Sequence, residues 1–188
     1  MRIVAGRFRG KKLTAPEGRD LRPTSDRARE SIFNILAHGK AAMNLDGITV
    51  ADMFCGTGAL GLEAMSRGAA FGVFADRNPV HLKIAKDNAA AMGLWRECLM
   101  LGLDCTHLAV PPRAAKTPAG LVFVDPPYGM GMADPALRGL LNKNWLTPDA
   151  TVVVEVGAEE SLAGTRGFEV LDERIYGAAK VYFLKRLE

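Results

Sequence analysis

The sequence predicts an α/β fold, with a mostly parallel sheet and helices on both of its faces. Three observations carry this. Apolar strand-like runs alternate with helical patterns between residues 48 and 157, and strands joined by helices specify a parallel sheet buried on both sides. Gly56, Gly58 and Gly61 make a G-x-G-x-x-G turn between the first strand and its helix. The tail "FEVLDERIYGAAKVYFLKRL" reads as two strands around Gly177, an antiparallel pair.

Taken in order, residues 1–23 alternate briefly in "RIVAGRFRGKKL" and then reach the Pro/Gly stretch "APEGRDLRP", which predicts a small hairpin or irregular arm. "TSDRARESIFNILA" is helical in pattern. Ser25 or Thr24 can cap it, Asp26 suits its first turn, and Ala28, Ile32, Ile35 and Leu36 recur at helical spacing. Strands follow at 48–54, 71–76, 99–104, 121–125 and 151–157. The helices between them start at Ala59, ending at Gly68, and at Pro79 behind an Asn78 cap, ending at Gly93, with another at about 134–142. The whole chain, 1–188, reads as one domain, a basic arm (1–23) ahead of a helix and the α/β core (24–188).

Composition narrows the class. An apolar fraction of 48% and a charged fraction of 24% are ordinary for a soluble domain. No apolar run approaches the ~20 residues that cross a bilayer, and the basic opening lacks a signal peptide's apolar segment, so the expected location is cytoplasmic with no membrane partner. Cys55, Cys98 and Cys105 form no C-x-x-C pair and have no neighbouring histidine. They read as small buried residues, and no metal site is expected. Residues 1–40 hold ten Lys/Arg against four acids, a net +6, while the remainder is net −3. A basic arm on a mildly acidic body suits a polyanionic partner or a solvated surface segment.

In a parallel sheet, ligands bind at the carboxyl ends of the strands. There Asp52, Asp76, Asp104 and Asp125 close four successive strands. The glycine turn lets a ligand approach the helix start, and Asp76 lies where an acid binds ribose hydroxyls. Four carboxylates around one crevice would repel a pyrophosphate, since close unit charges interact by several kcal/mol even at an effective dielectric of ~20. They suit S-adenosylmethionine, which combines a sulfonium, an ammonium and an adenosine. Asp52 and the glycine loop would face its methionine part, Asp76 its ribose and Asp104 its adenine amino group.

The fourth strand runs into "DPPY", Asp125 to Tyr128. An exocyclic amino group on a base is a poor nucleophile because its lone pair is delocalised. Methylating it requires acceptors for both N–H bonds beside the donor methyl. Asp125 supplies a carboxylate that also stabilises the developing positive charge. The Pro126 carbonyl supplies a second acceptor, aimed by the stiff Pro126–Pro127 backbone. Tyr128 offers a ring for the base to stack on, worth ~1–3 kcal/mol, and a base in a duplex would first be flipped out.

A glycine loop followed by (D/N)-PP-(Y/F) resembles the amino-group class of S-adenosylmethionine-dependent methyltransferases. "MRIVAGRFRGKKLTAPEG", "RPTSDRARESIFNIL" and "DMFCGTGALGLEAMSRGA" are similar to the RsmD family, bacterial enzymes that methylate the N2 amino group of one guanine in 16S ribosomal RNA. The resemblance covers nearly the whole chain. It implies a Rossmann-like methyltransferase sheet of seven strands with the last antiparallel, and 16S rRNA in the small ribosomal subunit or its assembly intermediate as partner. It implies cofactor binding by Asp52, Phe54, Gly56, Thr57, Gly58, Asp76, Arg77, Asp104, Cys105 and Thr24. RNA phosphates would fall to Arg7, Arg9, Lys11, Lys12 and Arg22, with Arg22, Thr24 and Asp26 near cofactor and base. Two positions depart from the family. The loop after Tyr128, "GMGMADP", lacks basic residues, leaving Met130 and Met132 as an apolar wall. Asp76 stands where Glu is more usual.

Competing readings remain at this level. DPPY also serves N6-adenine and N4-cytosine DNA methyltransferases, although 188 residues leave little room for a target-recognition domain. Protein glutamine methyltransferases share the architecture but typically carry Asn at the place of Asp125. The acid ring and DPPY disfavour a dehydrogenase, and the intact motifs disfavour a silent RNA-binding assembly factor. A monomer is expected, since no strong interface signal is present.

Overall fold

A computed structural model describes residues 1–15, 25–163 and 165–187. Its centre is a seven-stranded sheet in the order β3-β2-β1-β4-β5-β7-β6. The strands are β1 (Thr49–Met53), β2 (Phe71–Asp76), β3 (Cys98–Gly102), β4 (Ala119–Val124), β5 (Leu146–Gly157), β6 (Phe168–Tyr176) and β7 (Ala179–Arg186). The first five pair in parallel, while β7 runs antiparallel between β5 and β6. The predicted sheet class, strand number and antiparallel last strand are all observed. Strand order reverses at β1 and β4, and in open parallel sheets that switch point is where ligands bind.

Four α-helices flank the sheet: α1 (Asp26–His38), α2 (Ala59–Ser66), α3 (Pro79–Ala91) and α4 (Ala133–Asn142). Each strand's period of two divides its side chains between two cores. On one face Phe74, Leu121, Phe123 and Phe183 pack with Phe33 of α1, Leu62 and Met65 of α2, and Ala85 and Ala89 of α3. On the other, Val73, Val122, Val124 and Val152 pack with Leu137 and Leu140 of α4 and with Trp145. Two start signals read from the sequence are realised. The Ser25 hydroxyl accepts from the Ala28 N–H, and the Asn78 side chain accepts from the Val80 N–H with Pro79 at the first helical position.

Boundaries moved at four strands. β1 spans Thr49–Met53, one residue shorter at each end than predicted. β3 ends at Gly102, two residues before Asp104, and β4 ends at Val124 rather than on Asp125. β5 begins at Leu146, because Ala119 pairs with Leu146 before an irregularity shifts the register to Leu121–Thr151.

The basic arm is docked rather than free. Ile3 and Leu13 are buried, and an Arg2–Lys12 bridge brings the two limbs together. One carboxylate, Glu63 of α2, holds it: its oxygens accept from the Val4 N–H at 2.8 Å and the Ala5 N–H at 2.9 Å. Arg67 bonds the same carboxylate at 2.8 Å, and the buried Arg29 lies 3.6 Å from it. The arm's turn reaches the far end of α2, where the Arg7 N–H donates to the Ser66 carbonyl. That end belongs to the amino edge of the sheet, since Gly68 bonds Gly47, two residues before β1 begins.

Candidate active site

The site is built on the carboxyl ends of β1, β2 and β4. After β1 the chain turns through Phe54, Gly56 and Gly58, all with positive φ (59°, 52° and 76°). Two of these are glycines, which take that region freely. Phe54 does not, and a strained non-glycine residue here marks a backbone held in place by its surroundings. Gly61 is needed for space instead. A Cβ there would lie 2.5 Å from the Phe74 ring, so glycine lets α2 close onto β2.

Asp52 is buried beneath this loop and accepts from the Gly61 N–H at 2.9 Å. Burial pushes its carboxyl up to about 8, and the nearby Asp76 charge adds to the shift. Asp76, at the end of β2, accepts from the Gly56 N–H at 3.1 Å and the Asn78 N–H at 2.8 Å, and its Oδ2 lies 3.1 Å from His81 Nδ1. Both acids therefore brace the glycine loop, each through a backbone N–H. Thr57 is buried, and its carbonyl accepts from Asn88, which also pairs with the backbone of Thr14. The arm's second limb is thereby tied to the glycine loop. Arg77 is exposed at the turn into α3.

The expected ring of four carboxylates is looser than the spacing suggested. Asp104 lies past β3, exposed, and turns to its own loop: it accepts from the Thr106 hydroxyl at 2.7 Å and the Thr106 N–H at 2.9 Å. These bonds hold its carboxyl below the usual range. Cys105 is buried against the Ala75 carbonyl. Cys55 is buried too, whereas Cys98, expected to be buried, is only half-buried on β3, and all three thiols are free.

β4 delivers Asp125 beside the glycine loop. Its register pairs Met53 with Val124, and the Asp125 N–H reaches the Met53 carbonyl at 3.4 Å. Pro126 is buried and Pro127 exposed. Tyr128 is half-buried rather than fully exposed, because its hydroxyl donates to Glu155 of β5. The next residue is pinned as well: Glu160 accepts from the Gly129 N–H at 2.7 Å and the Gly157 N–H at 2.9 Å. Glu155 and Glu160 were missed in the sequence, where the only signal was an acid inside the apolar run "TVVVEVG".

Arg7, Arg9, Lys11 and Lys12 are exposed on the docked arm, with Arg7 stacked 4.7 Å above the Phe8 ring. Arg7 stands at the amino edge, away from Asp125. Asp26 bonds Arg29 at 2.8 Å. Thr24 and Arg22 lie outside the described residues. Met130 is exposed and Met132 half-buried.

A cleft of about 650 Å³ opens beside Tyr128, between α1 and the turn that joins β6 to β7. Among the described residues, no helix is long and apolar enough to cross a membrane and no acid, His or Cys cluster could hold a metal ion.

The family model described as Conserved hypothetical protein 95 matches residues 1–185. The chain is 35% identical over 162 residues to Ribosomal RNA small subunit methyltransferase D of Escherichia coli (strain K12), covering 86% of this chain and 77% of that one. It is 31% identical over 179 residues to the protein of the same name from Haemophilus influenzae, covering 94% and 89%. The solved structure of yhhF from Escherichia coli superposes with a TM-score of 0.82 at 30% identity, covering 100% of this chain and 98% of that one. A family model spanning almost every residue, relatives matched over most of their length and a solved structure that superposes over the whole chain agree: the chain belongs to the Conserved hypothetical protein 95 family, that of the ribosomal RNA small subunit methyltransferase D proteins.

Proposed function

We propose that this protein transfers a methyl group from S-adenosylmethionine to the N2 amino group of a guanine in 16S rRNA of the small ribosomal subunit. The observation that carries this is the placement of Asp125 one residue past β4, hydrogen-bonded to the end of β1 where the cofactor loop begins.

The residues present fit the cofactor. The edge offers acceptors in Asp76 and Asp125, and Arg77 is the one basic side chain at the β2 turn. That donor set suits a cation-bearing adenosine better than a pyrophosphate. Asp76 would accept from the ribose hydroxyls with the lone pairs left by Gly56 and Asn78. Asp52 acts from below, shaping the loop through Gly61. S-adenosylmethionine supplies an electrophilic methyl group when bound. Asp125 and the Pro126 carbonyl accept the two N–H bonds of the guanine amino group and orient its nitrogen, and the carboxylate stabilises the positive charge that develops there. Tyr128, fixed by Glu155, gives the base a face to stack on.

The arm's lysines and arginines supply non-specific grip on RNA phosphates around the target. A cytoplasmic location is the one that fits such a substrate.

The test uses labelled S-adenosylmethionine and small subunits from cells lacking this gene, followed by mapping of the labelled nucleotide. Label at a guanine N2 of 16S rRNA is expected. Label only in DNA, or in no nucleic acid, would sink the reading.

A further inference from the structure

We propose that the cleft beside Tyr128 seats a single-stranded RNA nucleotide flanking the target guanine, with Arg27 on its phosphate and Tyr176 under its base. This rests on the RNA-methylating reading above.

The cleft has three walls. α1 with its N-terminal cap contributes Ser25, Arg27 and Ser31, the DPPY loop contributes Tyr128 with its partner Glu155 of β5 beside it, and Tyr176 leads into the turn of Gly177, Ala178 and Ala179. Its volume, about 650 Å³, falls within the range of sites that hold small organic ligands. Tyr128 belongs to both spaces, so an occupant of the cleft lies next to whatever stacks at Asp125.

The chemistry of the walls selects the occupant. Both tyrosines have their hydroxyls tied down, Tyr128 by Glu155 and Tyr176 by a 2.8 Å bond to Ser31. Each ring is thus held at a fixed angle, as a stacking platform requires, and base stacking is tolerant of sequence. Arg27 is exposed at the first turn of α1 and forms no salt bridge among the described residues. Its planar fork matches phosphate oxygens. The small residues of the turn leave room for a sugar: at Gly177 an added Cβ would meet nothing within 4 Å. A flat aromatic face, one guanidinium and a hydroxyl-lined wall fit a nucleotide better than an apolar peptide.

Asp125 is absent from the walls. The cleft therefore takes a neighbour of the reacting base and sets which strand conformation presents that base. It acts on RNA affinity rather than on the methyl-transfer step.

The experiment measures RNA affinity and turnover separately on the full chain. The variants are Arg27→Glu, Arg27→Lys and Tyr176→Leu. The probes are a fluorescent single-stranded RNA oligonucleotide for Kd, and small subunits from cells lacking the gene for KM and kcat. Cofactor Kd and Tm verify folding of each variant. We expect Arg27→Glu and Tyr176→Leu to raise RNA Kd and KM roughly tenfold, the scale of one lost stacking or charge contact. Turnover at saturating RNA should stay within about twofold of wild type, and Arg27→Lys should recover part of the affinity. Unchanged Kd and KM in folded variants would overturn the cleft assignment. A fall in kcat with KM unchanged would overturn it too, since the cleft would then hold the target base itself. Wild-type protein that binds the oligonucleotide through Arg27 but methylates no RNA would instead defeat the functional reading and leave the cleft standing.

Discussion

The hydroxyl of Tyr128 donates to Glu155, a buried carboxylate near the end of the neighbouring strand. The DPPY loop, to which we assign the methyl-transfer chemistry, is thus fixed by β5, not only by its own prolines. Replacing Glu155 with Ala frees the ring and leaves the phenol without that acceptor. We expect kcat/KM to fall about tenfold or more, as small misplacements of positioning groups do, with cofactor Kd unchanged. Glu155→Gln retains an acceptor oxygen and should recover much of the loss. Equal kinetics in all three proteins would show that the bond has no bearing on turnover.

Asp125→Ala should lower kcat by about a hundredfold or more, the usual cost of removing one preorganised group that stabilises transition-state charge. Calorimetric titration with S-adenosylmethionine should give a Kd close to wild type, since the proposed partner of Asp125 is the base rather than the cofactor. A variant with normal turnover would remove Asp125 from the mechanism.

At Asp76 the expectation is reversed. Asp76→Ala removes the proposed acceptor for the cofactor ribose and releases the Gly56 N–H, so cofactor Kd should rise by roughly tenfold to a hundredfold. His81→Ala touches only one oxygen of that carboxylate and should have a smaller effect. An unchanged Kd in Asp76→Ala would refute its role.

Asp52 predicts a pH dependence of stability. Its folded carboxyl titrates at about 8 against 3.8 for the ordinary group. Between those values the folded chain holds a proton that the unfolded chain has released. Stability then falls with rising pH, by at most about 1.4 kcal/mol per unit from this group. Asp52→Asn keeps an oxygen acceptor for Gly61 and cannot ionise. Its Tm should exceed that of wild type by an amount that grows from pH 5 to pH 8 and then levels off. Parallel Tm curves across that range would show that Asp52 is ionised in the fold.

Removing the carboxylate of Glu63 takes one of two carboxylate partners from the buried Arg29, takes the 2.8 Å partner from Arg67, and frees two arm N–H groups at once. Glu63→Ala should cost about 3–5 kcal/mol in urea unfolding, the typical cost of breaking a buried ion pair by removing one partner. A loss below about 1 kcal/mol would mean that the arm is held mainly by buried Ile3 and Leu13 and by its bonds to Ser66 and Asn88.

The sheet was legible because its signal is local. Alternating strands and helices, an Asn-Pro cap and a glycine turn each declare themselves within a few residues. Asp125 and the glycine loop were legible for the same reason. Glu155, Glu160 and Glu63 were not. Each acts on residues distant in the chain, and an acid in an apolar strand carries no mark of its partner. Asp104 lies two residues beyond the end of β3 rather than on it, because spacing counts residues and does not show that its carboxylate closes a turn with Thr106. The arm's charges were visible, but not that its turn would dock at the amino edge.

The adjacency of β1 and β4 has a consequence for how the protein is made. Asp52 stands in register with Phe123, across a stretch of chain that includes β2, β3 and two helices. Contacts of such long sequence separation close late, because the entropy of a large loop must be lost before they reward it. The cofactor loop and the DPPY loop meet only when the centre of the sheet zips. A nascent or partly unfolded chain therefore presents two half-sites and no enzyme, and catalytic competence should appear together with the global fold rather than ahead of it.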